Sequence, residues 1–134
     1  MDSAQHGGVT TFISAGEPHT PGRPKDPAGV KALADAGVEP ERIGLLVNTS
    51  VSRDYLEPST ASIVSGNLGL PDTCQNFDVA NACLAFINGM DVAARMIERG
   101  DIDYALIVDG ESSNLVYEKT LERMSAPDVT AQQL

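Results

Sequence analysis

Apolar positions along this chain follow two rhythms. Residues 43–48 and 104–108 are apolar almost without interruption, as expected of strands covered on both faces in a parallel sheet. Residues 74–80 read as a further strand, and 9–14 as a short strand with little support on either side. The rest of the patterned sequence is helical. A short helix over 30–36 stops at Gly37 with Pro40 beyond it, and a second, over 58–68, begins at Pro58 or Ser59 and ends at Asn67 and Gly69. The third runs from 83 to 99 with Gly100 as its stop. Its Leu84, Phe86, Ile87, Met90, Val92, Ala93, Ala94, Met96 and Ile97 leave almost no polar face before the last turn, which predicts a buried helix. A more polar, amphipathic helix covers 115–124.

Strands alternating with helices specify an α/β layered domain with a parallel sheet and right-handed crossovers. Three or four strands are too few to cover a helix that is apolar on every side. The pattern therefore predicts half of a larger two-part fold, or one member of an intimate dimer. Residues 1–30 read as a Pro-rich flexible segment, with Pro18, Pro21, Pro24 and Pro27 every third residue. The folded part is expected over 31–124, and 125–134 as a loose end. His6 and His19 fall in the flexible segment and are read as solvated.

The 134 residues suffice for one domain with a modest core. A net charge of -10, spread along the chain, argues against nucleic acid or an anionic membrane as partner. Aromatic residues are 4% and Trp is absent, which also disfavours a base-stacking platform. No apolar run approaches the ~20 residues of a membrane span. The N-terminus lacks the basic-then-apolar form of a signal peptide. Cys74 and Cys83 are nine residues apart (83 − 74), which fits no common zinc pattern, so free thiols in a reducing cytoplasm and no bound metal are expected.

The chemistry concentrates in Phe77-Asp78-Val79-Ala80-Asn81-Ala82-Cys83-Leu84-Ala85-Phe86, a short strand running through small residues to a thiol at the mouth of the long helix. Free N–H groups and the positive end of the helix dipole favour thiolate there, which makes Cys83 a candidate covalent nucleophile. The alternative is a small buried residue capping a packed helix. Glu57, beside Pro58, reads locally as a helix N-terminal acid. Asn81 is expected to support the turn and Cys74 to be inert packing. Glu111 and Ser112 lie at the end of the last strand, where they are expected to support the cysteine loop.

Residues 36–124 resemble the N-terminal half of thiolase-superfamily condensing enzymes. Within that superfamily they are similar to 3-oxoacyl-(acyl-carrier-protein) synthase III and the OleA-type head-to-head acyl-CoA condensing enzymes of olefin biosynthesis. The resemblance rests on Leu45-Leu46-Val47-Asn48-Thr49-Ser50-Val51, Glu57-Pro58-Ser59-Thr60-Ala61, Asp78-Val79-Ala80-Asn81-Ala82-Cys83 and Asp109-Gly110-Glu111-Ser112. Arg53-Asp54-Tyr55-Leu56-Glu57-Pro58 points to the olefin-type branch.

The resemblance implies an α/β thiolase-like half-domain, a mixed, mostly parallel sheet with a buried nucleophile helix. It implies that Cys83 takes an acyl group as a thioester, with its own N–H in the oxyanion hole. Glu57 would be the base, reaching across a dimer to deprotonate a second acyl thioester for Claisen condensation to a 3-ketoacyl product. Coenzyme A or acyl-carrier-protein thioesters are then substrates, with no permanently bound cofactor. The family's His, Asn and Gly donor belong to a second half that has no match here, so a homodimer or a partner chain supplying that half is expected. The first strand of the half is expected to be missing or replaced by the Pro-rich segment. The competing readings are a non-catalytic interaction module, a decarboxylating synthase III-type activity, and another coenzyme A thioester enzyme such as an acyltransferase or thioesterase.

Overall fold

A computed structural model describes residues 9–11, 27–52, 55–110 and 114–125. Its strands are β1 (Val9–Thr11), β2 (Ile43–Asn48), β3 (Gln75–Asp78) and β4 (Tyr104–Val108). The helices are α1 (Pro27–Ala36), α2 (Thr60–Leu68), α3 (Ala85–Glu98) and α4 (Asn114–Met124). The strands form one sheet in the order β1-β4-β2-β3, and every pairing is parallel.

Strand order explains where the helices go. The steps β1–α1–β2 and β2–α2–β3 run in one direction across the sheet, while β3–α3–β4 runs back. With one handedness of crossover, α1 and α2 share a face and α3 takes the other. The core divides accordingly. Ile43, Leu46, Leu106 and Val108 pack with Ala32 and Leu33 of α1 and Ala61, Val64 and Leu68 of α2. Leu45, Val47, Ala105 and Ile107 pack with Ala93 of α3, and Phe86, Met90 and Met96 close around them. Ile43, Leu45, Leu46, Val47, Leu106 and Ile107 are at most 1% exposed, and burying each such side chain stabilises the fold by about 1.5–3 kcal/mol. The unbroken apolar runs thus belong to β2 and β4, the two strands covered on both faces.

The expected helix stops hold for a common reason. Gly37, Gly69 and Gly100 all have positive φ, and each ends a helix whose C-terminal carbonyls are taken by the following N–H groups. After α2, for example, Leu70 N–H donates to Ser65 O at 3.1 Å, a Schellman ending that glycine accommodates without a Cβ penalty.

The short strand expected over 9–14 forms at Val9–Thr11, inside the segment expected to replace the first strand of the half, and pairs with the otherwise open edge of β4. The sheet, expected to be mostly parallel, is parallel throughout its described strands. Finally, α3 is buried on one face only. Ala85, Gly89 and Ala93 lie against the sheet, whereas Ile87 is 58% and the preceding Leu84 62% exposed. A sheet covers one side of a helix, and nothing among the described residues covers the other. Residues 12–26 and 126–134, with Pro18, Pro21 and Pro24 of the repeat and all of the expected loose end but Ser125, lie outside the described residues, whereas Pro27 opens α1, four residues before the expected start of the folded part.

Candidate active site

The sequence leaves β3 at Asp78 and turns sharply. Val79 N–H donates to Asn48 O at 2.8 Å, extending the β2–β3 ladder by one step. A short 3-10 turn, Ala82–Leu84, follows and leads into α3. Ala82 has φ 44°, the left-handed region that a residue with a Cβ enters at a cost. The turn is held by Leu84 N–H to Asn81 O at 3.0 Å and by Ala85 N–H to Ala82 O. Asn81 also donates its side-chain N–H to Asn88 Oδ1 at 2.7 Å, tying the turn to the first turns of α3. Asn81 supports the turn, as its position in the sequence suggested.

Cys83 sits in the middle of this turn, just ahead of α3 rather than within it, and its side chain is exposed. Among the described residues its N–H donates to no group. The exposed thiol does not fit the reading of Cys83 as a small buried cap. Cys74 is the opposite case. It is buried among Leu46, Val64 and Leu70, and burial pushes its thiol up, opposed by a weaker backbone hydrogen bond at Leu46.

Helix α2 begins beside the same strand ends. Ser59 caps it, accepting from Ser62 N–H at 3.1 Å. The Thr60 and Ala61 N–H groups donate to the Asp78 carboxylate at 3.0 and 2.8 Å. With these donors satisfied, Glu57 is not needed as a helix-terminal acid. It stands outside the helix, with an exposed side chain. Nor is Glu57 buried within this chain, as a carboxylate serving as base near neutral pH needs to be.

A chain of hydrogen bonds crosses beneath both residues. Gly110 N–H donates to Ser50 Oγ at 2.9 Å, Ser50 donates to Asn48 Oδ1 at 2.8 Å, and Asn48 Nδ2 donates to Asp78 Oδ1 at 3.2 Å. Thr49 fastens both its N–H and its hydroxyl to Val108 O, at 2.8 and 3.0 Å. Asn48, Thr49 and Ser50 are at most 3% exposed, and in such surroundings each polar group must be paired. None of Asn48, Ser50 or Asp78 stood out as a site residue in the sequence. The available signal was three polar residues closing an apolar strand and a carboxylate five residues ahead of the cysteine.

Loops diverge at this edge: the one after β2 heads for α2 on one face, and the one after β3 for α3 on the other. That divergence at the carboxyl ends of adjacent parallel strands is where open α/β sheets form binding crevices. Glu57 belongs to the first loop and Cys83 to the second. Asp78 fixes the start of α2, three residues after Glu57, and ends the strand that leads to Cys83, and no hydrogen bond joins Glu57 and Cys83 directly. Arg53, Asp54, Glu111, Ser112, His6 and His19 lie outside the described residues. Among the described residues no three His, Cys, Asp or Glu cluster as metal ligands, and no helix is long and apolar enough to cross a membrane.

Residues 77–126 match the family model of 3-oxoacyl-[acyl-carrier-protein] synthase III. The chain is 76% identical over 106 residues to an acyl-CoA:acyl-CoA alkyltransferase of Xanthomonas campestris, covering 79% of this chain and 31% of the relative. It is 37% identical over 84 residues to a beta-ketoacyl-[acyl-carrier-protein] synthase III of an Enterobacter, covering 63% and 26%. A crystal structure of Xanthomonas campestris OleA, a cysteine-to-serine variant with lauric acid and lauroyl-CoA bound, superposes with a TM-score of 0.74 at 75% identity, covering 79% of this chain and 32% of that one. The chain thus spans about a third of the length of the relatives it matches.

Proposed function

We propose, from the membership of this chain in the thiolase-superfamily condensing enzymes, that it supplies the acyl-accepting cysteine of a Claisen condensation between two fatty acyl thioesters. The observation that carries the reading is the position of Cys83: an exposed thiol on a left-handed turn, ahead of a 14-residue helix, with its own N–H uncommitted.

The first step is attack of the Cys83 thiolate on the carbonyl of an acyl-CoA. The Cys83 N–H lies free for the oxyanion of the tetrahedral intermediate. That intermediate collapses with loss of coenzyme A thiolate, which takes up a proton, and leaves an acyl thioester on Cys83. In the second step the Glu57 carboxylate removes an α-proton from a second acyl-CoA. The resulting carbanion attacks the Cys83 thioester carbonyl, the Cys83 thiolate leaves, and a 3-ketoacyl-CoA forms. One coenzyme A is released for two acyl-CoA consumed.

Two further observations support this assignment. In the OleA relative, the glutamate and the cysteine that were substituted for crystallography lie 26 positions apart, and so do Glu57 and Cys83 (83 − 57). The lauroyl-CoA bound to that relative favours coenzyme A over a carrier protein as the acyl donor here. The exposed Glu57 requires another surface to bury it, and the uncovered apolar side of α3, with Leu84 and Ile87, requires one as well. We assign both to a second thiolase half and a second copy of the assembly.

The test is intact-protein mass spectrometry after incubation with lauroyl-CoA. A gain of one lauroyl group that is absent in Cys83→Ala is expected. Acylation that persists in Cys83→Ala would remove the nucleophile from this position.

A further inference from the structure

Asp78 has no role in the chemistry just described, yet its carboxylate is where three elements meet. It accepts from Thr60 N–H at 3.0 Å and Ala61 N–H at 2.8 Å in the first turn of α2, and from Asn48 Nδ2 at 3.2 Å at the end of β2. It is itself the last residue of β3. Upstream of Thr60, three residues lead back to Glu57. Downstream of Asp78, five residues lead to Cys83.

We propose that Asp78 is a positioning residue, whose carboxylate clamps the first turn of α2 to the ends of β2 and β3 and so sets where Glu57 stands relative to the cysteine turn. The inference rests on the condensing-enzyme reading, and it adds the residue on which the base depends.

The geometry favours a clamp over an ordinary cap. Ser59 already serves as the local cap, at Ser62 N–H. Asp78 comes from another strand, so its bonds to Thr60 and Ala61 fix the helix to the sheet rather than merely completing it. An anion at this end also complements the dipole of α2. The donor on its other side, Asn48, is held in turn by Ser50, itself bonded to Gly110 at the end of β4. The segment carrying Glu57 is therefore referenced to three strand ends through one carboxylate. Movement of a base by about 1 Å can cost on the order of 100-fold in rate, so loss of the clamp falls on the step that uses Glu57.

Cys83 has separate supports: the Asn81–Asn88 bond and the turn hydrogen bonds at Leu84 and Ala85. The acylation step is expected to survive loss of the clamp.

The experiment uses a chimera in which this chain replaces the matched segment of the Xanthomonas campestris alkyltransferase, so that a second half is present. Cys83 acylation and the overall condensation are measured separately for Asp78→Asn, Glu57→Gln and Thr60→Pro. Thr60 is the first residue of α2, a position proline favours, and Ser59 before it has the extended backbone (φ -58°, ψ 149°) that proline requires. Thr60→Pro therefore removes one N–H from Asp78 while keeping the helix start.

Expected are a loss of condensation of roughly 10- to 100-fold in Asp78→Asn, a smaller loss in Thr60→Pro, and acylation unchanged in both. The fall should appear in kcat for condensation, with KM for the second acyl-CoA little moved. If Glu57→Gln loses condensation selectively while Asp78→Asn and Thr60→Pro condense normally, or lose acylation in the same proportion, the positioning role is overturned. If Glu57→Gln itself condenses normally, the assignment of Glu57 fails instead.

Discussion

Gly110 donates its N–H to the Ser50 hydroxyl at 2.9 Å across sixty residues of sequence, and the same hydroxyl donates to Asn48 Oδ1 at 2.8 Å. Ser50 thus joins the ends of β2 and β4 beneath the edge where Glu57 and Cys83 stand. Ser50→Ala removes both bonds and leaves the buried Asn48 oxygen one donor short. The expected cost is about 1–3 kcal/mol, since a buried polar atom pays its desolvation without recompense. Urea denaturation of the two proteins measures it. A change within a few tenths of a kcal/mol would mean that water or a neighbour replaces the hydroxyl.

The two thiols should separate cleanly under alkylation. Cys83 is exposed, whereas Cys74 is 5% exposed and buried in the α2 side of the core. Iodoacetamide is expected to modify Cys83 in the native protein and Cys74 only after unfolding, with peptide mapping to assign the sites. Equal labelling of both in the native state would contradict the packing around Cys74.

Cys74 also predicts an alkaline limit. Burial raises its pKa in the folded chain above the ordinary value of 9.0. Above that value the unfolded thiol loses its proton while the folded one keeps it, so the folded state holds more protons and stability falls as pH rises. The contribution is fully present below about pH 9 and is lost progressively as pH climbs through the folded pKa. Cys74→Ala is expected to be less stable at neutral pH but to have a flatter alkaline limb. Parallel slopes for the two proteins in melts between pH 8 and 10 would assign the limb to other groups.

The elements legible in the sequence are those set by local rules. Gly37, Gly69 and Gly100 end helices because the C-terminal turn needs positive φ, and β2 and β4 show as apolar runs because both their faces are covered. Cys83 was legible as a thiol at a helix start, but its exposure was not. Leu84, Ile87 and their neighbours made α3 look buried all round, and sequence pattern does not distinguish a covered face from one awaiting a cover. Asp78 stayed hidden for a different reason. Capping rules look three or four residues along the chain, and Asp78 reaches α2 from 17 and 18 residues away. The Asn48–Ser50–Gly110 bonds are equally non-local, so only the folded sheet brings them together.

Gly89 offers a test of how tightly the cysteine helix is seated. It lies four residues into α3 on the face against the sheet, and a Cβ built there would stand 3.2 Å from Thr49 Cγ2, 3.3 Å from Val47 Cγ1 and 3.4 Å from Ile107 Cγ2. Those neighbours are at most 2% exposed, so none has space to retreat. On helix propensity alone, Gly89→Ala should stabilise by about 1 kcal/mol. Overpacking a closed core costs about 1–3 kcal/mol, and here it opposes that gain. The expected result is a net destabilisation of about 1 kcal/mol by urea denaturation, the difference of these two effects. Relief of the contact requires α3 to lift from β2 and β4, which moves the Ala82–Leu84 turn with it. A slower acylation of Cys83 by lauroyl-CoA should therefore accompany the loss of stability. A more stable Gly89→Ala with normal acylation would show that α3 shifts freely on the sheet, and that Cys83 does not depend on this contact for its position.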